Sequence, residues 1–279
     1  MNKSTKKWSS LYLLIIFVIL YIPIGYLIYY SFNAGGTMNG FTGFTLEHYQ
    51  AVFEDTRLIR IALDTLRVAL LSSLLATIIG TLGAIGIYYV RKRKLKSTLL
   101  ALNNILMVSP DVIIGASFLI LFTFMGFRLG FYSVLLAHIA FSIPIVVLMV
   151  LPKLQEMNDS MIIAARDLGA NSMQVMSKII LPSITPGILS GFFMAFTYSL
   201  DDFAVTFFVT GNGFSTLSVE IYSRARQGVS LEINALSTLL FLFALVLVIG
   251  YYFIQQYQVN KKDKNKPNHQ QDRRVVDKS

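Results

Sequence analysis

Apolar residues fall in six long runs, at residues 11–30, 66–90, 99–124, 131–151, 184–210 and 236–257, with polar segments between them. About twenty such residues, coiled as a helix, cross the roughly 30 Å apolar layer of a bilayer, so each run predicts one crossing. The longest polar interruption, residues 151–183, carries a pattern of its own. Leu154, Met157, Met161, Ala164, Ala165 and Leu168 recur mostly three or four apart, which predicts one face of a helix over 154–168. Gly169 then ends it, as a residue that tolerates a positive φ. Asn171 or Ser172 can cap a second helix with Val175, Met176, Ile179 and Ile180 on one side, before Pro182 turns the chain into the fifth run.

A second irregularity sits inside the third run. Ser109-Pro110-Asp111 reads as a helix start, with Ser109 as cap, Pro110 in the first position and Asp111 near the positive end of the dipole. Pro110 cannot donate to a helix ladder, so the third span is predicted to be discontinuous or kinked, and Pro144 and Pro186 predict similar kinks. Residues 33–65 read as a glycine-rich turn region followed by a short interfacial helix. Residues 125–130 are few enough to make their flanking helices antiparallel neighbours. Residues 211–235 suit an ordered loop, and the tail beyond residue 260 has little apolar surface to bury and is predicted to be disordered.

Composition and charge turn this pattern into a topology. The 279 residues are 54% apolar and only 14% charged, with a mean hydropathy of +0.61, far from the quarter-charged composition of soluble domains. The fold class is an all-α membrane protein with six transmembrane helices. Lys3, Lys6 and Lys7 precede the first run as in a signal peptide, but the run exceeds the usual apolar core of one, so it reads as an uncleaved span. With no cysteine there is no disulfide framework and no thiolate ligand or nucleophile. The net charge of +9 does not point to nucleic acid, because the basic residues cluster beside apolar runs, where they set orientation. The N-terminus, residues 91–96 (RKRKLK), the central loop and the C-terminal tail hold 18 of the 24 Lys and Arg. An even number of spans puts these segments on one side, which the rule that basic loops stay inside makes the cytoplasm. The domain plan is a cytoplasmic segment at 1–10, a six-helix domain at 11–257 with a cytoplasmic loop at 152–182, and a cytoplasmic tail at 258–279.

Charges inside the apolar runs are costly unless paired or wetted, and so carry functional hypotheses. Asp111, Asp201 and Asp202 qualify, and the runs hold almost no cation to match them, which suits a cationic solute. These three acids with Tyr198 are the candidate substrate pathway or gate. Phe192, Phe193, Phe196 and Tyr198 can hold ammonium groups by cation–π contact or can simply pack. Asp111 fits a helix start as well. A straight helix carries Asp201 and Asp202 most of the way across the membrane from Pro182, the depth of an external gate; capping, or pairing with Arg224 or Arg226, is the alternative. His138, alone among apolar residues, reads as a packed histidine, and no HExxH or ligand cluster supports a metal. No GxxxxGK[ST] loop is present, so ATP would be bound elsewhere. The polar face of the central loop, with Gln155, Glu156, Asn158, Asp159 and Asp167, is poor for anionic lipid and favours a protein partner.

One motif carries a family resemblance. Ile163-Ala164-Ala165, three residues, Gly169, nine residues and Ile179-Ile180-Leu181-Pro182 resembles the Glu-Ala-Ala…Gly…Ile-x-Leu-Pro signature in the cytoplasmic loop of permease subunits of binding-protein-dependent ABC importers. Ile163 stands where the family commonly has Glu, which puts in question any ion pair that Glu makes. Residues 108–118 (VSPDVIIGASF), 199–211 (SLDDFAVTFFVTG) and 221–234 look like the spermidine/putrescine permease branch, in its second permease subunit. The resemblance implies a type I ABC importer permease fold, both termini cytoplasmic, in the inner or plasma membrane of a prokaryote. It implies a non-enzymatic subunit that moves polyamines into the cytoplasm beside a second permease subunit. Two ATP-binding subunits, which use ATP and Mg, would dock at Ile163, Ala164, Ala165, Arg166, Asp167 and Gly169, and an extracytoplasmic polyamine-binding protein would deliver solute. The chain itself would bind no cofactor. Competing readings are an importer permease for iron, sulfate or phosphate, a stand-alone channel or secondary transporter, and an intramembrane aspartyl protease using Asp111 with Asp201 or Asp202.

Overall fold

The computed structural model describes residues 3–36, 38–227, 231–243, 245–246 and 249. The predicted tail at 258–279 and the second half of the sixth run lie outside them. The chain divides into two compact units, one of residues 1–54 with 228–279 and one of residues 55–227.

In the first unit, α1 (Lys3–Ser31) is one continuous helix, so most of the predicted N-terminal segment is helical and runs straight into the candidate span at Trp8–Ser31. It is apolar on all sides from Trp8 onward, the composition of a helix that needs no aqueous face. The turn after it is organised by Asn33, whose side-chain amide donates to the Gly40 carbonyl at 2.9 Å and whose oxygen accepts from the Thr42 amide at 2.8 Å. The short helix expected next is α2 (Glu47–Glu54).

In the second unit, α3 (Thr56–Tyr89) starts ten residues before the predicted second run. Asp55 starts it by accepting the Arg57 and Leu58 amides at 3.0 Å each. At 1.5 Å per residue its 34 residues are about 51 Å long, more than the apolar layer, so its first turns can stay helical and carry Arg57, Arg60, Asp64 and Arg67. The third run is two helices, α4 (Arg93–Val108) and α5 (Asp111–Phe124), bent by 103°. Ser109 does not cap α5 as expected: its hydroxyl turns back to the Ile105 carbonyl at 2.8 Å, closing α4, and α5 begins without a side-chain cap. After α6 (Phe131–Gln155) come α7 (Asp159–Asp167), α8 (Ser172–Val175), a π-helical stretch at Met176–Ile180, α9 (Leu181–Asp201), α10 (Ala204–Val209) and α11 (Leu217–Gln227). Pro144 and Pro186 do not interrupt α6 or α9.

The core of this unit is a three-helix contact of α3, α6 and α9. Lipid offers no hydrophobic drive for helix association, so close backbone approach through small residues has to supply it. On α9 the buried positions Gly187, Gly191, Ala195 and Ser199 recur every fourth residue, as do Ser72, Ala76, Gly80 and Ala84 on α3. The fit leaves no room for side chains: a Cβ on Gly80 would lie 2.7 Å from Val146 Cβ, and one on Gly187 would lie 2.9 Å from the Met149 carbonyl. Four helices of the described residues are long and apolar enough to cross a membrane, and the bent α4–α5 pair would be a fifth span; the sixth run is described as helix α12 over Leu231–Phe243.

Candidate functional site

The three intramembrane acids end up in three environments. Asp111, the first residue of α5, is half-buried, and Tyr198 of α9 donates its hydroxyl to Asp111 Oδ1 at 2.7 Å. The Tyr198 ring is held edge-on by Phe141 of α6 at 5.0 Å and is 37% exposed. Asp201, one turn further along α9, is exposed, and its side chain makes no hydrogen bond among the described residues. No Lys or Arg occurs on α5, α9 or α10, so the only charges on these helices are negative. Earlier in α9, Phe192 stacks on Phe196 and meets Phe193 edge-on.

Asp202 differs. It is 8% exposed, and it does not line an opening. Its carboxylate accepts the Val205 amide at 3.2 Å, the Thr206 amide at 2.8 Å and the Thr206 hydroxyl at 2.7 Å, which caps α10 where the predicted fifth span breaks. His138 Nε2 lies 3.5 Å from Asp202 Oδ2 and 2.8 Å from Thr206 Oγ1, while its Nδ1 is 2.6 Å from Ser199 Oγ, itself 3.0 Å from Ser72 Oγ. The packed histidine is thus the centre of a polar chain from α3 to α10. Sequence reasoning found His138 and Asp202 separately and missed Ser72, Ser199 and Thr206; the fourfold spacing of small residues on α3 and α9 was the available signal.

The central loop is shorter in its helices than predicted. Leu154 closes α6 and is fully buried, the chain breaks at Glu156–Asn158, and Asn158 starts α7 by accepting the Ser160 amide at 2.9 Å. The buried face of α7 is Ile162, with Met157 and Ala165 packed on the same core as Val175 and Ile180. Met161, Ile163 and Leu168 point outward, with Leu168 89% exposed, so the predicted apolar face is divided: Leu154, Met157 and Ala165 pack on the core, while Met161 and Leu168 are outside. Ala164, Arg166, Asp167 and Gly169 are exposed with them, and Gly169 turns the corner at φ +83°. The second helix keeps its predicted inward side, Val175 and Ile180.

A further cluster was not anticipated. Arg224 of α11 bonds Glu220 at 2.8 Å and Asp55 at 2.9 Å, and Arg57 of α3 reaches the same buried Glu220 at 2.9 Å. Leu217 adds its amide to Thr65 Oγ1 at 2.9 Å, so α11 is fastened to the start of α3. The Arg224 guanidinium, with the Leu58 amide, holds the Asp55 carboxyl below its usual range.

Residues 73–264 match a family described as the binding-protein-dependent transport system inner membrane component. The chain is 39% identical over 253 residues, 91% of its length and 93% of the relative's, to the spermidine/putrescine transport system permease protein PotC of Escherichia coli strain K12. It is 32% identical over 265 residues, 93% of each, to the putrescine transport system permease protein PotI of the same strain. Among solved structures it is similar in fold to a chain of a bacterial ABC transporter involved in the import of the acidic polysaccharide alginate, with a TM-score of 0.69 at 17% identity over 91% of this chain and 96% of that one. A chain of the MetNI methionine ABC transporter in inward facing conformations gives a TM-score of 0.60 at 22% identity, over 72% of this chain and 95% of that one.

Proposed function

The chain belongs to the inner membrane components of binding-protein-dependent transport systems, and on that premise we propose that it is one of two permease subunits of an ATP-driven importer that passes polyamines into the cytoplasm. The observation that carries the substrate class is the open pair Asp111–Tyr198, 2.7 Å apart, on helices without any Lys or Arg. A carboxylate cannot be left against hydrocarbon, so this face of α5 and α9 meets a second permease subunit across a wetted path. There the acid and the rings suit a chain of ammonium groups and methylenes, and they disfavour sulfate or phosphate. The polyamine names of the relatives point the same way.

In the same reading the chain crosses the membrane six times, with the sixth run at 236–257, and places the 1–10 segment, the 152–182 loop and the 258–279 tail in the cytoplasm. The exposed apolar side of α7, with Ile163, Ala164, Ala165, Arg166, Asp167 and Gly169 around it, receives one of two ATP-binding subunits, which supply ATP and Mg chemistry. Ile163 makes that contact apolar where the family commonly has a Glu. A rigid nine-residue α7, fastened through Ile162, transmits closure of the ATPases to α9 through the corner at Gly169. An extracytoplasmic polyamine-binding protein delivers solute on the other side.

Reconstitution tests this. With the ATPases, the second permease and the binding protein in proteoliposomes, spermidine or putrescine uptake should require ATP. Uptake of sulfate or phosphate instead, or robust uptake by this chain alone, sinks the reading. Ala164→Asp, which puts a charge on the exposed side of α7, should reduce ATPase association by tenfold or more, about 1.4 kcal/mol; unchanged association removes α7 as the docking element.

A further inference from the structure

The polar chain through His138 is used by nothing in the pathway reading, which concerns the open pair Asp111–Tyr198. Its members come from four helices: Ser72 on α3, His138 on α6, Ser199 on α9 and Thr206 on α10. Its protons can be assigned. The Thr206 hydroxyl donates to Asp202 Oδ2, so toward His138 Nε2 its oxygen accepts and Nε2 carries a hydrogen. Nδ1 then accepts the Ser199 hydroxyl when the ring is neutral, or donates to it when the ring is charged. Either way both ring nitrogens are satisfied by protein groups in a site fully closed to solvent, as a buried polar group requires.

The position of this hub matters. Ser199 is next to Tyr198 in α9, and Phe141, three residues along α6 from His138, has its ring 4.9 Å from His138 and 5.0 Å from Tyr198. The same stretch of α6 therefore grips the end of α9 through Ser199 and the start of α10 through Thr206, across the break at Asp202–Phe203.

We propose that His138 is a positioning residue for transport: its two ring nitrogens tie the end of α9 to the start of α10, fix the break between them, and so hold Tyr198 toward Asp111. Asp202 then acts through Thr206 and His138 and does not touch the solute. The inference rests on the pathway reading of Asp111 and Tyr198.

The test uses the complete complex in proteoliposomes, with spermidine as the probe, and hydrogen exchange on the same preparation. His138→Ala should speed exchange of the Val205 and Thr206 amides by tenfold or more. It should lower the maximal uptake rate by tenfold or more, while the half-saturating concentration moves by less than about twofold. His138→Gln, which keeps a donor and an acceptor, should restore at least about a third of the rate. The isosteric Thr206→Val should lower the rate about threefold, and adding it to His138→Ala should cost nothing further, since both cut one chain. Unaltered exchange in His138→Ala, or a His138→Gln complex as slow as His138→Ala, overturns the proposal. Should His138→Ala fail to assemble, Thr206→Val decides alone, and wild-type rate with wild-type exchange overturns it. A silent Asp111→Asn would remove the pathway reading while leaving the exchange result intact, so the two failures are distinguishable.

Discussion

Among the described residues, two helix breaks interrupt the apolar runs, each beside an aspartate, and they are built in opposite ways. At Pro110 the chain bends by 103°, α5 starts without a side-chain cap, and the Asp111 carboxylate is left to a single tyrosine hydroxyl at a half-open surface. At Asp202 the carboxylate is buried, accepts three bonds from Val205 and Thr206, and lies beside His138. A buried polar group must be satisfied within the protein or it destabilises the fold, whereas an acid with spare acceptor capacity at a wetted face can still take a ligand. The difference teaches that acids in apolar runs divide by their partners: Asp202 is satisfied within the protein, while Asp111 keeps the spare acceptor capacity on which the proposed pathway rests.

The most severe way to break this contrast is Asp202→Ala. It removes the cap of α10 and leaves the Thr206 hydroxyl and two backbone amides of a buried site short of an acceptor. Leaving buried donors unsatisfied costs on the order of 3 kcal/mol. The assembled protein should lose thermal stability accordingly and uptake should fall with the amount of folded complex. If Asp202→Ala keeps its melting midpoint but loses affinity for spermidine, the two acids have been assigned the wrong way round.

Asp111→Asn should do the reverse. The amide can still accept from Tyr198, so the fold should change by less than about 0.5 kcal/mol, as at exposed positions generally. Loss of the charge should raise the half-saturating spermidine concentration by about tenfold, or about 1.4 kcal/mol. Tyr198→Phe should raise it by about threefold, since it removes only the hydroxyl that orients the acid. Uptake kinetics of the three proteins, normalised to assembled complex, check both effects.

The apolar runs, the break at Pro110 and the glycine corner were legible because each is a local signal: a run length, a proline without its donor, a glycine followed by capping residues. The start of α3 was not, since it depends on an Asp55 cap ahead of a segment too polar to score as a span. The extent of α7 was not legible for a related reason: the cap at Asn158 breaks the phase of a single helix from Leu154 to Leu168, so Ile162 packs inside while Met161 and Leu168 face out. Capping by Asp202 was legible as an alternative to a gate, but its place beside His138 was not, because that histidine is 64 positions away.

Asp55 supplies the smallest effect and the control for the comparison, for it does in water what Asp202 does in the interior. It caps α3 through two backbone amides, and it also takes the Arg224 guanidinium at 2.9 Å. Its side chain is 30% exposed, so the solvent screens the pair, and an ion pair of this kind contributes roughly 0.5 to 1 kcal/mol. Asn is as good a cap as Asp, so Asp55→Asn isolates the charge. Arg224 and the backbone amides pull the carboxyl below its ordinary value of 3.8, which means the unfolded chain takes up its proton first as the pH falls. The stabilisation is therefore complete above that ordinary value and disappears as the pH drops through the lower folded one. Melting midpoints of wild type and Asp55→Asn should differ by a few degrees or less at pH 7 and converge in acid; a gap that stays constant with pH would mean that the Asp55 charge is not its source.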